Sequence, residues 1–153
     1  MVPYDEVHHA LLPDQLNQES WLPLLTREDI IFLMRYFEDF ADSIVFTYEC
    51  RGGTYIDDES YINYPPGGPQ ADQDIIITFQ RQTLEKFSVQ LLLKGATEFQ
   101  MYGRSENFDG IINAMAIEAS NPTSCNLVAQ SFINGTKILA ARATTMYWRP
   151  TAG

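Results

Sequence analysis

The feature that most constrains this chain is a change of hydrophobic period shortly before residue 44. Upstream, Ile30, Leu33, Met34, Phe37, Phe40, Ala41 and Ile44 recur at helical spacing and make one apolar stripe. Downstream, apolar residues alternate with polar ones, the pattern of half-buried strands. A chain that switches from 3.6 to 2 once, and then stays near 2, folds as one helix feeding a sheet. Thr26 supplies an N-cap oxygen and Asp29 stands where the acid of a capping box belongs, so the helix is predicted over Thr26–Asp42. Arg35, Glu38, Asp39 and Asp42 fall on its polar side.

The strands follow from the same alternation. Ile44–Cys50 is the first, with Ile44, Phe46 and Tyr48 on one face and Val45, Thr47 and Glu49 on the other. Arg51-Gly52-Gly53 reads as a turn, and Thr54–Ile56 as a short returning strand. Ile75–Gln80 and Phe87–Lys94 are joined by the polar connection Arg81–Lys86, which suits a hairpin. Gly95 interrupts the second of these, and Thr97–Tyr102 continues it across a bulge or bend. In Ile111–Ala119 the Ala and Met content favours helix, but the alternation favours strand, and strand is the expectation. Asn126–Phe132 and Lys137–Trp148 flank Asn134-Gly135, the signature of a type I′ hairpin turn. The sum is an α+β fold: one amphipathic helix packed on a curved, mostly antiparallel sheet of six or seven strands. With 153 residues, 45% of them hydrophobic, the chain is long enough for one core and is expected to be a single domain, residues 1–153. An irregular N-terminal arm, residues 1–25, docks through Trp21 and its leucines. An acidic loop rich in Pro and Gly occupies residues 57–73.

Motifs that would name a reaction are absent: there is no GxGxxG, P-loop, GxSxG or HExxH. His8 and His9 are adjacent and point apart on either a helix or a strand, so they are expected on the surface rather than on a metal. Cys50 and Cys125 belong to no CxxC pair and read as small apolar residues rather than a bridge. No cofactor, no metal and no catalytic residue is expected. No charged leader precedes an apolar stretch, and Ile75–Ile77 and Leu91–Leu93 are too short to span a bilayer. A cytoplasmic protein that does not engage membrane is the expectation.

Charge carries more information. Twenty acids against ten bases give a net charge of −10, which disfavours direct nucleic-acid binding because phosphates must be neutralised by Lys and Arg. The distribution is uneven, about −12 over residues 1–74 and about +2 over residues 75–153. Glu38, Asp39 and Asp42 are grouped on the helix, Asp57, Asp58 and Glu59 at the loop entrance, and Asp72 and Asp74 at its exit. Consecutive acids at 57–59 lack the alternate spacing of a calcium loop. Tyr55, Tyr61 and Tyr64 are interleaved with them. Tyrosine gives rigid contact area at low entropic cost, and surrounding acids steer a cationic partner. A solvated face that serves solubility is the competing reading of the same charges.

In size, charge and element order the chain resembles small acidic immunity proteins of bacterial toxin systems, contact-dependent inhibition among them. The resemblance rests on Phe37-Glu38-Asp39-Phe40 leading into the strand Ile44–Cys50, on Leu91–Met101 with Lys94-Gly95-Ala96, and on Gly110–Glu118. It covers about two-thirds of the chain. It implies a non-enzymatic inhibitor that binds a cognate, basic toxin domain. Asp57, Asp58, Glu59, Asp72 and Asp74 would meet the toxin's cations, Tyr55, Tyr61 and Tyr64 would supply contact area, and Glu38, Asp39 and Asp42 would extend the surface. The alternative is a non-catalytic regulatory domain whose curved sheet holds a small apolar ligand.

Overall fold

The computed structural model describes residues 21–52, 55–63, 73–82, 87–102, 110–121, 124–131 and 137–152. The elements in chain order are β1 (Leu22–Pro23), α1 (Arg27–Tyr36), β2 (Ser43–Gly52), β3 (Tyr55–Ile56), β4 (Ile62–Asn63), β5 (Gln73–Arg81), β6 (Phe87–Met101), β7 (Ile112–Asn121), β8 (Ser124–Ser131) and β9 (Lys137–Ala152). The fold is α+β but dominated by an antiparallel sheet, with one short α-helix among the described residues.

Curvature goes further than the sequence pattern implies. Pairings run β9–β6–β5–β2–β7–β8 and return from β8 to β9, so six strands form a ring. β9 is long enough to serve both neighbours. It pairs with β6 over Leu139–Ala152 and with β8 over Lys137–Ala143, and β1 continues on the β8 side at Tyr147 and Trp148. The alternation that defined the strands now defines an inside. Across β5, β6 and β9 the register aligns Phe79 with Val89 and Pro150, Ile77 with Leu91 and Trp148, and Ile75 with Leu93 and Met146. Across β7, β8 and β9 it aligns Met115 with Ala129 and Leu139, and Ile117 with Leu127 and Ala141. All of these are buried. Outside, the same strands carry a polar ladder. Gln90 donates to Thr78 at 3.1 Å, Arg149 donates to Gln90 at 2.9 Å, and the Arg149 guanidinium lies 4.1 Å from the Trp21 ring.

The helix plugs one end of the ring. Thr26 caps it as a full capping box: the Asp29 N–H donates to Thr26 Oγ1, and the N–H groups of Leu25 and Thr26 donate to Asp29 Oδ2. Leu33 and Phe37 are fully buried, and Phe32 and Tyr36 pack their rings 5.9 and 5.1 Å from Trp148.

The helix ends at Tyr36, not at Asp42. Glu38, Asp39 and Phe40 take φ of 48°, 59° and 61°, a left-handed 3-10 turn. A straight continuation would carry the chain onward along the helix axis, whereas β2 must begin beside Arg81 and Ile112. The turn reverses the chain and buries Phe40, whose ring lies 4.8 Å from Phe37 and 5.1 Å from Phe79. Left-handed backbone costs about 1–2 kcal/mol per residue. Arg81 holds it in place, donating to the Ala41 carbonyl at 3.0 Å and pairing with the Glu38 carboxylate. The buried Ser43 hydroxyl donates to the Phe40 carbonyl at 2.6 Å, so it is satisfied.

Other boundaries shift for identifiable reasons. β2 runs through Arg51 and Gly52 rather than turning there, because both still pair with β5. Tyr55–Ile56 does not return along β2 but pairs with Ile62–Asn63, giving the 57–73 loop a hairpin of its own. A bulge at Phe46 breaks the strict alternation of β2, so Val45, Tyr48 and Cys50 stand opposite the inward residues Phe79, Ile77 and Ile75. β6 continues through Gly95, with a bulge at Thr97, as a single strand. Segment 112–121 is a strand, and β8 and β9 form the expected hairpin, whose Asn134-Gly135 turn lies outside the described residues. Residues 1–20, His8 and His9 included, also lie outside them. Leu22–Pro23 and buried Leu24 dock the end of the arm on β9.

Two measurements test this packing. Phe37→Ala is expected to lower the free energy of unfolding by about 3–5 kcal/mol in a denaturant titration, because the plug loses a fully buried ring. An unchanged midpoint would mean the helix does not seal the ring. Gly95 has φ +62°, and a Cβ there would lie 2.7 Å from Thr144 Oγ1. Gly95→Ala is therefore expected to destabilise by about 1–2 kcal/mol from the backbone alone, with a further steric part. Adding Thr144→Ala should recover only the steric part.

Candidate functional site

The candidate residues divide into two groups at opposite ends of the β2–β5 pair. Glu38, Asp39 and Asp42 lie at the end where Ser43 meets Arg81. The 55–63 hairpin follows the other end, where Gly52 meets Gln73 and Asp74 meets Arg51. Seven residue steps of β5 from Asp74 to Arg81 amount to roughly 23 Å. The two acidic groups are therefore separate surfaces. Glu38 is also committed to Arg81, and Asp39 and Asp42 are exposed positions of left-handed backbone. At the other end Asp74 lies 3.6 Å from Lys94.

The hairpin is organised by Asp57. Its Oδ1 accepts the N–H groups of Glu59 at 2.9 Å and Tyr61 at 3.0 Å, and its Oδ2 accepts the Asn63 amide at 2.9 Å. Backbone bonds from Asp57 N–H to the Tyr61 carbonyl and from Ser60 N–H to the Asp57 carbonyl close the turn, with Ser60 at φ 70°. Asp57 therefore braces the turn, and Asp58 and Glu59 are exposed at its tip. Ile56 pairs directly with Ile62. Together with Tyr61 they are 58–70% exposed, an apolar surface beside two free-standing carboxylates. Sequence reasoning found Tyr61 but missed Ile56 and Ile62. Their signal was two isoleucines bracketing a polar stretch and belonging to neither period. The Tyr55 side chain, Tyr64 and Asp72 lie outside the described residues.

The inner face of the ring is filled at the plugged end. Toward the other end Tyr48 stands opposite Ile77 and is half exposed, its ring 5.3 Å from Phe99. Cys50 is exposed there, so it is not the packed apolar residue its sequence context implied. Cys125 is buried on β8, its thiol aimed at the Thr144 carbonyl at 3.9 Å and its pKa pushed up by desolvation. Among the described residues no three His, Cys, Asp or Glu side chains converge as metal ligands, and no helix is long and apolar enough to cross a membrane.

Fold and surface together define a class: a helix-plugged antiparallel barrel displaying a braced acidic and apolar hairpin. Comparison with protein-family models, curated proteins and solved structures gives no match.

The Asp57 network makes the hairpin sensitive to acid. The Asn63 amide first, and then the Tyr61 and Glu59 N–H groups, hold the Asp57 carboxyl below the ordinary aspartate value. A depressed folded pKa contributes stability that is fully present above the unfolded value and is lost as pH falls through the folded one. Amide exchange at Glu59 and Tyr61 is therefore expected to accelerate below the ordinary aspartate range, before the barrel signals change. Asp57→Asn should remove that step. An identical acid profile in the variant would deny Asp57 this role.

Proposed function

We propose that this protein is an inhibitor of the immunity type, which binds a basic toxin domain directly and does so in the cytoplasm. The observation that carries the reading is the hairpin: Ile56, Tyr61 and Ile62 exposed together beside Asp58 and Glu59, on a turn braced internally by Asp57. Apolar side chains held out by a pre-ordered turn lose little entropy on docking. Neighbouring carboxylates speed encounter with a cationic surface. The net charge of −10 supports a basic partner over nucleic acid. A regulatory domain that holds a small apolar ligand has less support, because the concave faces of β5, β6 and β9 are occupied by their own side chains and by the helix.

Co-expression with the product of the gene immediately upstream, scored by growth rescue and co-purification, tests the reading. In binding kinetics, Asp58→Lys with Glu59→Lys is expected to slow association by about tenfold or more at low salt and to flatten its salt dependence. Tyr61→Ala should instead raise the dissociation rate, by about 30-fold if it is a 2 kcal/mol anchor. Wild-type rates in both variants would leave the hairpin a solvated loop.

A further inference from the structure

Nothing in the sequence stops α1 at Tyr36. From Thr26 to Ile44 there is neither Gly nor Pro, and the apolar residues keep helical spacing through Phe40, Ala41 and Ile44. Helices that end on a left-handed residue usually do so at Gly or Asn, which bear that backbone at low cost. Here Glu38, Asp39, Phe40 and Asp42 all have positive φ. Local preference and observed backbone therefore oppose each other over residues 38–42.

Tertiary contacts hold the turn against that preference. Arg81 donates to the Ala41 carbonyl and pairs with Glu38, and the Ser43 hydroxyl donates to the Phe40 carbonyl. The Asp42 N–H donates to the Ile112 carbonyl, and the Asp42 carbonyl accepts the Gln82 N–H, both at 3.0 Å. These bonds place the start of β2 where Ser43 meets both Arg81 and Ile112. We propose that residues 37–42 are a two-state hinge, a left-handed turn while Arg81 holds it and a right-handed continuation of α1 when the hold is released. The inference concerns the plug and does not depend on the inhibitor reading.

The right-handed form is the local default for L-residues, and it pairs the amides of residues 38–42 with carbonyls four residues back. It also carries Asp42 along the helix axis, away from Ile112 and Gln82. The Ser43–Ile112 bridge then parts, and the ring opens at its plugged end. Phe40, three residues from Phe37 and seven from Leu33, stays on the apolar stripe of α1 but leaves Phe79. The hold is accessible from outside at Glu38, whose side chain is 62% exposed against 16% for Arg81. A cationic surface that takes Glu38 from Arg81 weakens the hold without entering the core, so opening of the plugged end responds to a cation at that carboxylate.

The test uses the full chain, with backbone carbon chemical shifts and relaxation dispersion over residues 37–43, which separate left-handed turn, helix and disordered chain. The Asp39 side chain is exposed, so substitutions there act mainly through the backbone. Alanine favours helix and glycine bears left-handed backbone. The helical population in Asp39→Ala is therefore expected to exceed that in Asp39→Gly by at least about 20-fold. Glu38→Gln, which imitates loss of Glu38 to a cation, should raise the helical population about threefold, the scale of an exposed ion pair. Adding Asp39→Gly to it should reverse the rise. Exchange of the Asp42 and Gln82 amides should quicken in step with the helical population, while the amides between β5 and β6 stay unchanged. No helical state in Asp39→Ala, equal populations in the two Asp39 variants, or disordered rather than helical shifts in the released segment would overturn the proposal. So would a Glu38→Gln protein that loses protection evenly across the chain with its turn still left-handed.

Discussion

Trp148 is the contact on which the rest of the structure depends. On β9 it lies in register with Leu91 on one side and Leu22 on the other, and it meets Phe32 and Tyr36 from the helix. One side chain thus joins the N-terminal arm, the helical plug and the three-strand apolar face. The need for such a joint is elementary. A sheet whose every second residue is apolar must cover that face, and a ring covers its sides but leaves its ends open. The helix covers one end, and buried Trp148 is where it does so.

The unequal charge of the two halves follows from this architecture. Strand positions are spent on inward apolar residues and on an outward ladder of Thr78, Gln90 and Arg149, which is neutral or cationic. Carboxylates collect where the backbone leaves the ring, in the turn at Glu38–Asp42 and in the hairpin at Asp57–Glu59. Both sites also use an acid structurally, Glu38 on Arg81 and Asp57 on its own turn. The charge clusters are therefore partly scaffolding.

Period and turn chemistry are local, and what depends on them was legible: the capping box at Thr26 and Asp29, the β5–β6 and β8–β9 hairpins, and the strand character of 112–121. Ring closure was not legible, because it is set by which distant strands pair, and alternation does not encode a neighbour. The helix was overextended because Phe37 and Phe40 kept helical spacing, although the left-handed turn at Glu38–Phe40 presents both to the core without a helix. The bulge at Phe46 shifts one residue and so reassigns Tyr48 and Cys50 to the inward register, a change invisible to a pattern read at period 2. In the candidate site, Tyr61, Asp58 and Glu59 were legible as a polar aromatic loop. The internal use of Asp57 depends on Asn63 folding back, which composition does not reveal.

Among the described residues β2 and β7 share one bridge, Ser43 with Ile112, and what holds it is the plug. The turn at Glu38–Phe40 lies against β7 and leads directly into β2, and Arg81 and the Ser43 hydroxyl fix it there. The bridge is thus held by the plug, and the ring does not need a second one.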